Sequence, residues 1–517
     1  MPSGGQAMLE SSDEQAELIR NLADPACYDH AVSSVQHLET HISHVLLSGE
    51  YAYKFKKPLD LGFLDFSTLD KRRHVCQEEV RLNRRLAPAY YLGVVPVTGS
   101  PAAPQVNGAG EPIEYAVKMR QFPPDATLDR LDARDRMTAT HVETIATTIA
   151  RFHLQTCARA GAESSWGDPQ HVWQPVAQNF LQISPRLTSL ADRQLLDALQ
   201  RWSEAEHARL APLMAARKRD GFIRECHGDL HLGNLAWVDD QLLVFDCLEF
   251  NPELRWIDIQ SEIAFCYMDL MQRGHTEWAW LLLNTWLEET GDHGGLALLR
   301  YYAVYRALVR VKVAVLRAGQ TTGVEHEAAL AEARAILDLA TTLTRPLPLR
   351  LDITHGLSGS GKTTITRILM QDPGAIRLRS DVERKRLAGL DALARSGSGV
   401  GEQLYAADAT RRTYAHLALL AGSVLDAGWP VIVDATFTAR WQRDLLRELA
   451  QSRGVAFHIL DFQVPVARLR ERILQRSHMG SDASEAGLDV LQHQIDTEEA
   501  LGADEQEARV PIDTQDL

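Results

Sequence analysis

Hydrophobic and polar positions divide the chain into zones of different period. From about residue 38 to 122 the pattern is that of short strands, with one helical segment near 69–87. Tyr51-Ala52-Tyr53-Lys54-Phe55-Lys56 alternates aromatic and basic positions, as a half-buried strand does. Residues 139–215 and 253–342 repeat their apolar positions with helical period, and they flank a Gly- and Asp-rich segment at 226–250. A long Ala/Leu-rich helical run from near His326 stops at Thr344-Arg345-Pro346-Leu347-Pro348, because proline excludes its predecessor from helical geometry. Leu349–Thr354 then reads as a strand, followed by a glycine turn and an apolar helix, the start of a βαβ pattern. The pattern predicts a tail and first helix at 1–34 and an α+β domain at 35–345. That domain has a small lobe at about 35–122 and a helical large lobe at about 123–345. An α/β domain with a parallel sheet follows at 349–517. No internal repeat relates the two parts.

At 517 residues the chain exceeds what one hydrophobic core sustains, which agrees with that division. Hydrophobic content of 45% and charged content of 24% belong to a globular protein rather than a disordered or membrane one. The most apolar stretch, Leu296 to Leu316, contains Arg300, Arg306, Arg310 and Lys312, which excludes a bilayer span. A net charge of -15 repels a phosphate backbone, so nucleic acid is a disfavoured partner. Six scattered cysteines without a CxxC pair, and no secretory pattern in residues 1–20, lead us to expect a cytoplasmic protein.

Two segments change the picture from architecture to chemistry. Gly356-Leu357-Ser358-Gly359-Ser360-Gly361-Lys362-Thr363, followed by Thr364, matches GxxxxGK[ST] between an expected strand and an expected helix. Glycines let backbone N–H groups close around phosphate oxygens, Lys362 reaches the terminal phosphates of ATP, and the Thr363 hydroxyl ligates magnesium. Val431-Ile432-Val433-Asp434 is an apolar strand delivering a second magnesium ligand, Asp434. Asp381, with Arg384 one helical turn on, follows another strand and suits deprotonation and holding of an acceptor hydroxyl. Arg468, Arg472 and Arg476 share one helix face, placed to close over phosphates, with Gly480–Ser484 as a hinge; a solvated basic face is the alternative.

The second segment, His227-Gly228-Asp229-Leu230-His231-Leu232-Gly233-Asn234, reads HxDxxxxN, and the strand Leu242–Phe245 then presents Asp246. A base for a hydroxyl proton (Asp229), a metal asparagine (Asn234) and a strand-borne metal acid (Asp246) are the catalytic-loop parts of the protein-kinase scheme. An Asx-rich turn would use the same residue types but explains neither their order nor Asp246. In the small lobe Ala52-Tyr53-Lys54 matches the A-x-K whose lysine pairs with nucleotide phosphates, with Glu79 as its ion-pair partner; Lys56 points to the same face and stays open as an alternative. No GxGxxG loop is present, and the expected hairpin runs from His41 to Tyr53 with Ser48-Gly49 at its turn.

The 227–246 cluster resembles the aminoglycoside phosphotransferase and choline kinase branch of the protein-kinase-like fold. Residues 349–517 resemble small P-loop kinases such as polynucleotide, gluconate and zeta-toxin-like kinases. The tandem order is similar to bacterial bifunctional aminoglycoside phosphotransferase-like/ATP-binding proteins. These resemblances imply a bilobal protein-kinase-like fold followed by a P-loop NTPase fold. They further imply ATP and Mg2+ as cofactors and transfer to hydroxyl groups of sugar- or nucleoside-like small molecules at two sites, with a relay between the sites left open. Two other readings stand beside this one: a regulatory ATP-binding protein, in which a pseudokinase precedes a nucleotide switch, and a polynucleotide 5′-kinase-like end-processing enzyme.

Overall fold

The computed structural model describes residues 12–60, 62, 64–390, 407–479 and 487–514. By packing, the chain forms two compact units. The first comprises Met1–His141, Phe152–Trp173 and Leu213–Cys266; the second comprises Val142–Arg151, Gln174–Pro212 and Tyr267–Leu517.

The first unit opens with helix α1 (Ser12–Asn21) and strands β1 (Val35–Glu39), β2 (Ser43–Ser48) and β3 (Tyr51–Lys56). Helix α2 (Leu69–Asn83) starts where the Thr68 hydroxyl accepts the Lys71 N–H, 3.3 Å. Strands β4 (Tyr91–Ser100), β5 (Ala103–Val106) and β6 (Glu114–Arg120) complete an antiparallel sheet of order β1-β2-β3-β6-β4-β5. Alternation sends Leu46, Tyr53 and Phe55 into a core on one face with Leu18. Val117, on the other face, packs with Cys76 and Val80 of α2. The expected turn is present between β2 and β3, with Gly49 at φ +60.

Helices α3 (Leu128–Asp132), α4 (Ala139–Arg151), α5 (Pro169–Ile183) and α6 (Leu190–Arg219) follow. Next come β7 (Ile223–Glu225), β8 (Leu235–Val238), β9 (Gln241–Val244) and β10 (Trp256–Asp258). Strands β8 and β9 form a hairpin whose two turn residues, Asp239 and Asp240, both have positive φ, the type I′ geometry that matches strand twist. Strand β7 pairs with β10, and together these two ladders frame the segment 226–234.

Helices α7 (Ile259–Gln272), α8 (Thr276–Thr290), α9 (Leu296–Ala318) and α10 (Gly323–Leu343) lead into the parallel sheet. Its elements are β11 (Arg350–His355), α11 (Lys362–Leu369), β12 (Ile376–Arg379), α12 (Ser380–Leu387), α13 (Ala407–Asp426) and β13 (Val431–Asp434). Then follow α14 (Arg440–Arg453), β14 (Ala456–Phe462), α15 (Val466–Met479), α16 (Leu488–Thr497) and β15 (Arg509–Ile512). Strand order is β12-β13-β11-β14-β15, all parallel. Strands of such a sheet are covered on both faces, and all four residues of β13 are buried. The chain winds from β11 first to one side and later to the other, so a crevice opens at the carboxyl ends of β11 and β13. The chain thus joins a protein-kinase-like α+β fold to a P-loop α/β fold with a parallel sheet. Among the described residues no helix is long and apolar enough to cross a membrane.

Candidate active sites

In the first unit, Lys54 lies on β3 with its Nζ 2.9 Å from Glu79 Oε1 and 2.5 Å from Asp246 Oδ1. Lys56, two residues on and on the same face, is fully buried; it pairs with Glu79 Oε2 at 2.5 Å and with Glu249. One carboxylate therefore bridges both lysines, and only Lys54 also reaches Asp246. Burial works against the charge on Lys54, but Asp246 and Glu79 outweigh it and hold its pKa well above the usual value. Burial likewise opposes ionisation of Asp246, and the Lys54 ammonium outweighs it.

Asp246 sits at φ +62, a backbone conformation rare outside glycine. Its N–H donates to the Tyr91 hydroxyl (3.1 Å), and the next N–H, of Cys247, donates to Asn83 Oδ1 (2.9 Å). These two partners, from β4 and α2, hold the turn that aims the carboxylate at Lys54.

The 227–234 loop is fixed from below. The buried Glu262 carboxylate accepts the N–H groups of His227 (2.8 Å) and Gly228 (3.0 Å). Burial lowers the His227 pKa and keeps the ring neutral. Its Nδ1 accepts the Asp229 N–H (3.3 Å), which leaves Nε2 to donate to the Phe245 carbonyl (2.8 Å). Gly228 has φ +90, and a Cβ there would lie 3.0 Å from the Leu254 carbonyl oxygen and 3.1 Å from Leu248 Cβ. A larger side chain between His227 and Asp229 has no room. Asn234 Nδ2 donates to Asp229 Oδ2 (3.0 Å) and to the Asp229 carbonyl (2.9 Å), which turns its amide oxygen away from that carboxylate. Asp258, downstream of this loop, does not hold it: it forms a two-pronged pair with Arg217 (2.7 and 2.8 Å). Glu262 takes that part.

In the second unit a cavity of about 430 Å³ lies at the crevice of the parallel sheet. Ser358, Gly359, Ser360, Gly361, Lys362, Thr363 and Thr364 form one wall; Asp381, Arg384, Asp434 and Arg472 also face it. Gly356, at φ +149, joins the loop to β11, and a Cβ there would meet the Phe462 carbonyl oxygen at 2.9 Å. Gly359 and Gly361 have φ +85 and +88, so the loop needs glycine where it turns. Lys362 Nζ spans the loop, donating to the carbonyls of Gly356 (2.8 Å) and Leu357 (2.7 Å). Arg384 and Asp381 are paired at 3.2 Å on the first turns of α12. Asp434 ends β13, where the Thr366 hydroxyl donates to it (3.1 Å).

The three-arginine face divides. Arg472 donates to the Thr514 carbonyl (2.6 Å) and lines the cavity, whereas Arg468 is exposed and pairs with Glu471. The Arg476 side chain and the hinge at 480–484 lie outside the described residues. Sequence reasoning missed Glu249, Glu262, Tyr91 and Asn83 in the first unit. In the second it missed Arg379, on the cavity wall, and Gln494, whose Oε1 accepts the Ser358 N–H (2.9 Å). Arg379 alone carried a local signal, as the residue before Ser380-Asp381 at a strand end.

The family model described as an AAA domain matches residues 351–501. An uncharacterised protein of Mycobacterium tuberculosis H37Rv is 29% identical over 464 residues, covering 89% of this chain and 91% of the relative. A solved sugar kinase from Janibacter is 25% identical over 32% of this chain and 86% of its own, with a TM-score of 0.25. The choline kinase of Cryptosporidium parvum is 11% identical over 60% of this chain and 89% of its own, with a TM-score of 0.38.

Proposed function

We propose that this chain is an ATP- and magnesium-dependent phosphotransferase with two sites, one in 35–345 and one in 349–517, acting on hydroxyl groups of sugar- or nucleoside-like small molecules. The observation that carries the reading is the second unit's cavity, where three neighbouring strand ends bring together the phosphate loop, the Asp381–Arg384 pair and Asp434. Its volume suits a small molecule. The Lys54–Glu79–Asp246 cluster and the Asp229–Asn234 pair supply the corresponding groups in the first unit.

The donor types fit a hard cation that prefers oxygen. Asn234 and Asp246 would hold magnesium in one site, Thr363 and Asp434 in the other, where the ion supplies charge neutralisation on phosphate oxygens. The chain's own groups do the rest. Lys54 and Lys362 lie against the phosphates and position the γ-phosphoryl group. Asp229 in the first site, and Asp381 in the second, accepts the acceptor's hydroxyl proton as that oxygen bonds to the γ-phosphorus and the bond to the ADP oxygen breaks. Arg384 holds the acceptor beside Asp381.

The test is an ATP-consumption screen over sugars, sugar phosphates, amino alcohols and nucleosides with wild-type, Asp229→Asn and Lys362→Ala proteins. Each variant is expected to lose one transfer and keep the other. ATP binding without acceptor-dependent turnover in the wild type would favour the regulatory reading. Turnover only with oligonucleotide ends would favour the end-processing one.

A further inference from the structure

Helix α8 carries Asn284 and Glu288 one turn apart, on one face. Asn284 Nδ2 donates to the Ala375 carbonyl (2.9 Å), and its Oδ1 accepts the Arg377 N–H (2.7 Å). A side-chain amide thus pairs the outer edge of β12, which ends the parallel sheet, as a neighbouring strand would. Glu288 then meets the side chains of Arg377 and Arg379, alternate residues that share a face of that strand. Arg377 Nη2 is 2.6 Å from Glu288 Oε1, and Arg379 Nη1 is 3.6 Å from Oε2. Burial pushes the Glu288 carboxyl up, but the two guanidinium groups outweigh it and keep it ionised. Arg386 adds a hydrogen bond to the Glu288 carbonyl, fixing the helix end.

One of the arginines lines the cavity, and the other braces the loop that forms its wall. Arg377 Nη1 donates to the carbonyl of Thr363, the last residue of the phosphate-loop motif (3.3 Å), and Arg379 lines the wall beside Asp381. We infer that Glu288 is a positioning residue for the P-loop site, setting Arg379 on the acceptor side of the cavity and Arg377 against the phosphate loop. The inference rests on the phosphoryl-transfer reading of that cavity. It makes a helix lying far before the Pro346-Leu347-Pro348 break part of the working P-loop unit. Arg379 acts as a fixed cation where negative charge develops during transfer, and such groups lose effect when displaced by about 1 Å.

The experiment uses the full-length chain carrying Asp246→Asn, which removes the first site's contribution. ATP turnover that Lys362→Ala abolishes then reports the second site. Glu288→Gln is expected to lower kcat about tenfold while the KM for ATP stays within about twofold. Arg379→Gln lowers kcat at least as far, and on top of it Glu288→Gln adds less than its single-variant loss, because only the part carried by Arg377 remains. Glu288→Asp keeps the charge on a shorter stem and retains more activity than Glu288→Gln. Thermal melting is followed in parallel. Kinetic losses that multiply in the double variant, or a Glu288→Gln kcat within about twofold of its parent, overturn the inference. If Glu288→Gln does not fold, Glu288→Asp and Arg379→Gln complete the same cycle. Absence of any Lys362-dependent turnover in the parent protein instead defeats the reading of the cavity, and the inference with it.

Discussion

Lys54 and Lys56 stand two residues apart on one strand face, and replacing each with methionine separates their roles at nearly constant side-chain volume. Lys56 is fully buried between Glu79 and Glu249. Lys56→Met leaves Glu249 buried without its main counter-charge, and breaking a buried pair in this way costs about 3–5 kcal/mol. At roughly 2–4 °C per kcal/mol for a domain of this size, the first unit should melt about 6–20 °C lower. The loss should also depend on pH. Burial already holds the Glu249 carboxyl above its ordinary range, with Lys56 pulling it back down. Without Lys56 the folded-state pKa rises further, so the folded state binds a proton that the unfolded state has released, and stability falls as pH rises through that window. Lys56→Met should therefore lie closer to wild type at pH ~5 than at pH ~8. Lys54→Met has the opposite profile, because Lys54 borders Asp246 at the open side of the cluster. It should melt within a few degrees of wild type and lose nucleotide binding to the first site. The assays are scanning calorimetry at the two pH values and ATP titration in the Lys362→Ala background. A Lys56→Met protein that melts normally but fails to bind ATP would refute the reasoning, as would a Lys54→Met protein that binds normally.

Gly228→Ala places a side chain at φ +90 against the Leu254 carbonyl, so it should cost about 1–2 kcal/mol or more and lower first-site turnover; a calorimetric trace matching wild type would count against the packing described. His153 is buried, with its pKa pulled down to about 3, so unfolding takes up a proton and stability should drop as pH falls below 6.5; His153→Asn should flatten that slope, and an unchanged slope in acid melts rejects the assignment. Because each unit holds its own lysine, acids and loop, Asp229→Asn and Lys362→Ala should silence different transfers. If Asp229→Asn alone stops both when every acceptor is supplied directly, the independence of the sites is wrong. If each variant's accumulated product is never consumed by the other unit, a relay between them is excluded.

The phosphate loop, the 227–234 loop and the A-x-K strand were legible because their chemistry lies in short fixed spacings. A glycine turn between strand and helix, or the five-residue step from Asp229 to Asn234, dictates local geometry whatever surrounds it. Helix and strand zones were readable for the same reason, since a period of 3.6 or 2 is a property of neighbours along the chain. Other features have no local signature. Lys54 and Lys56 have the same phase on the strand, and only pairing with Asp246 and Glu249, more than 190 residues away, distinguishes them. Arg468 and Arg472 have the same phase on α15, yet packing against Thr514 draws in one and leaves the other in solvent. Glu262, expected nowhere, holds the 227–234 loop, whereas Asp258, at the end of β10, is claimed by Arg217 with two hydrogen bonds. Glu288 reaches Arg377 and Arg379 from a helix that the proline break assigns to the preceding domain. Sequence by itself determined which groups can do chemistry. Their partners, and hence which of two equivalent side chains serves the site, were decided by tertiary structure, because ion pairing and burial depend on distance in space and not on separation along the chain.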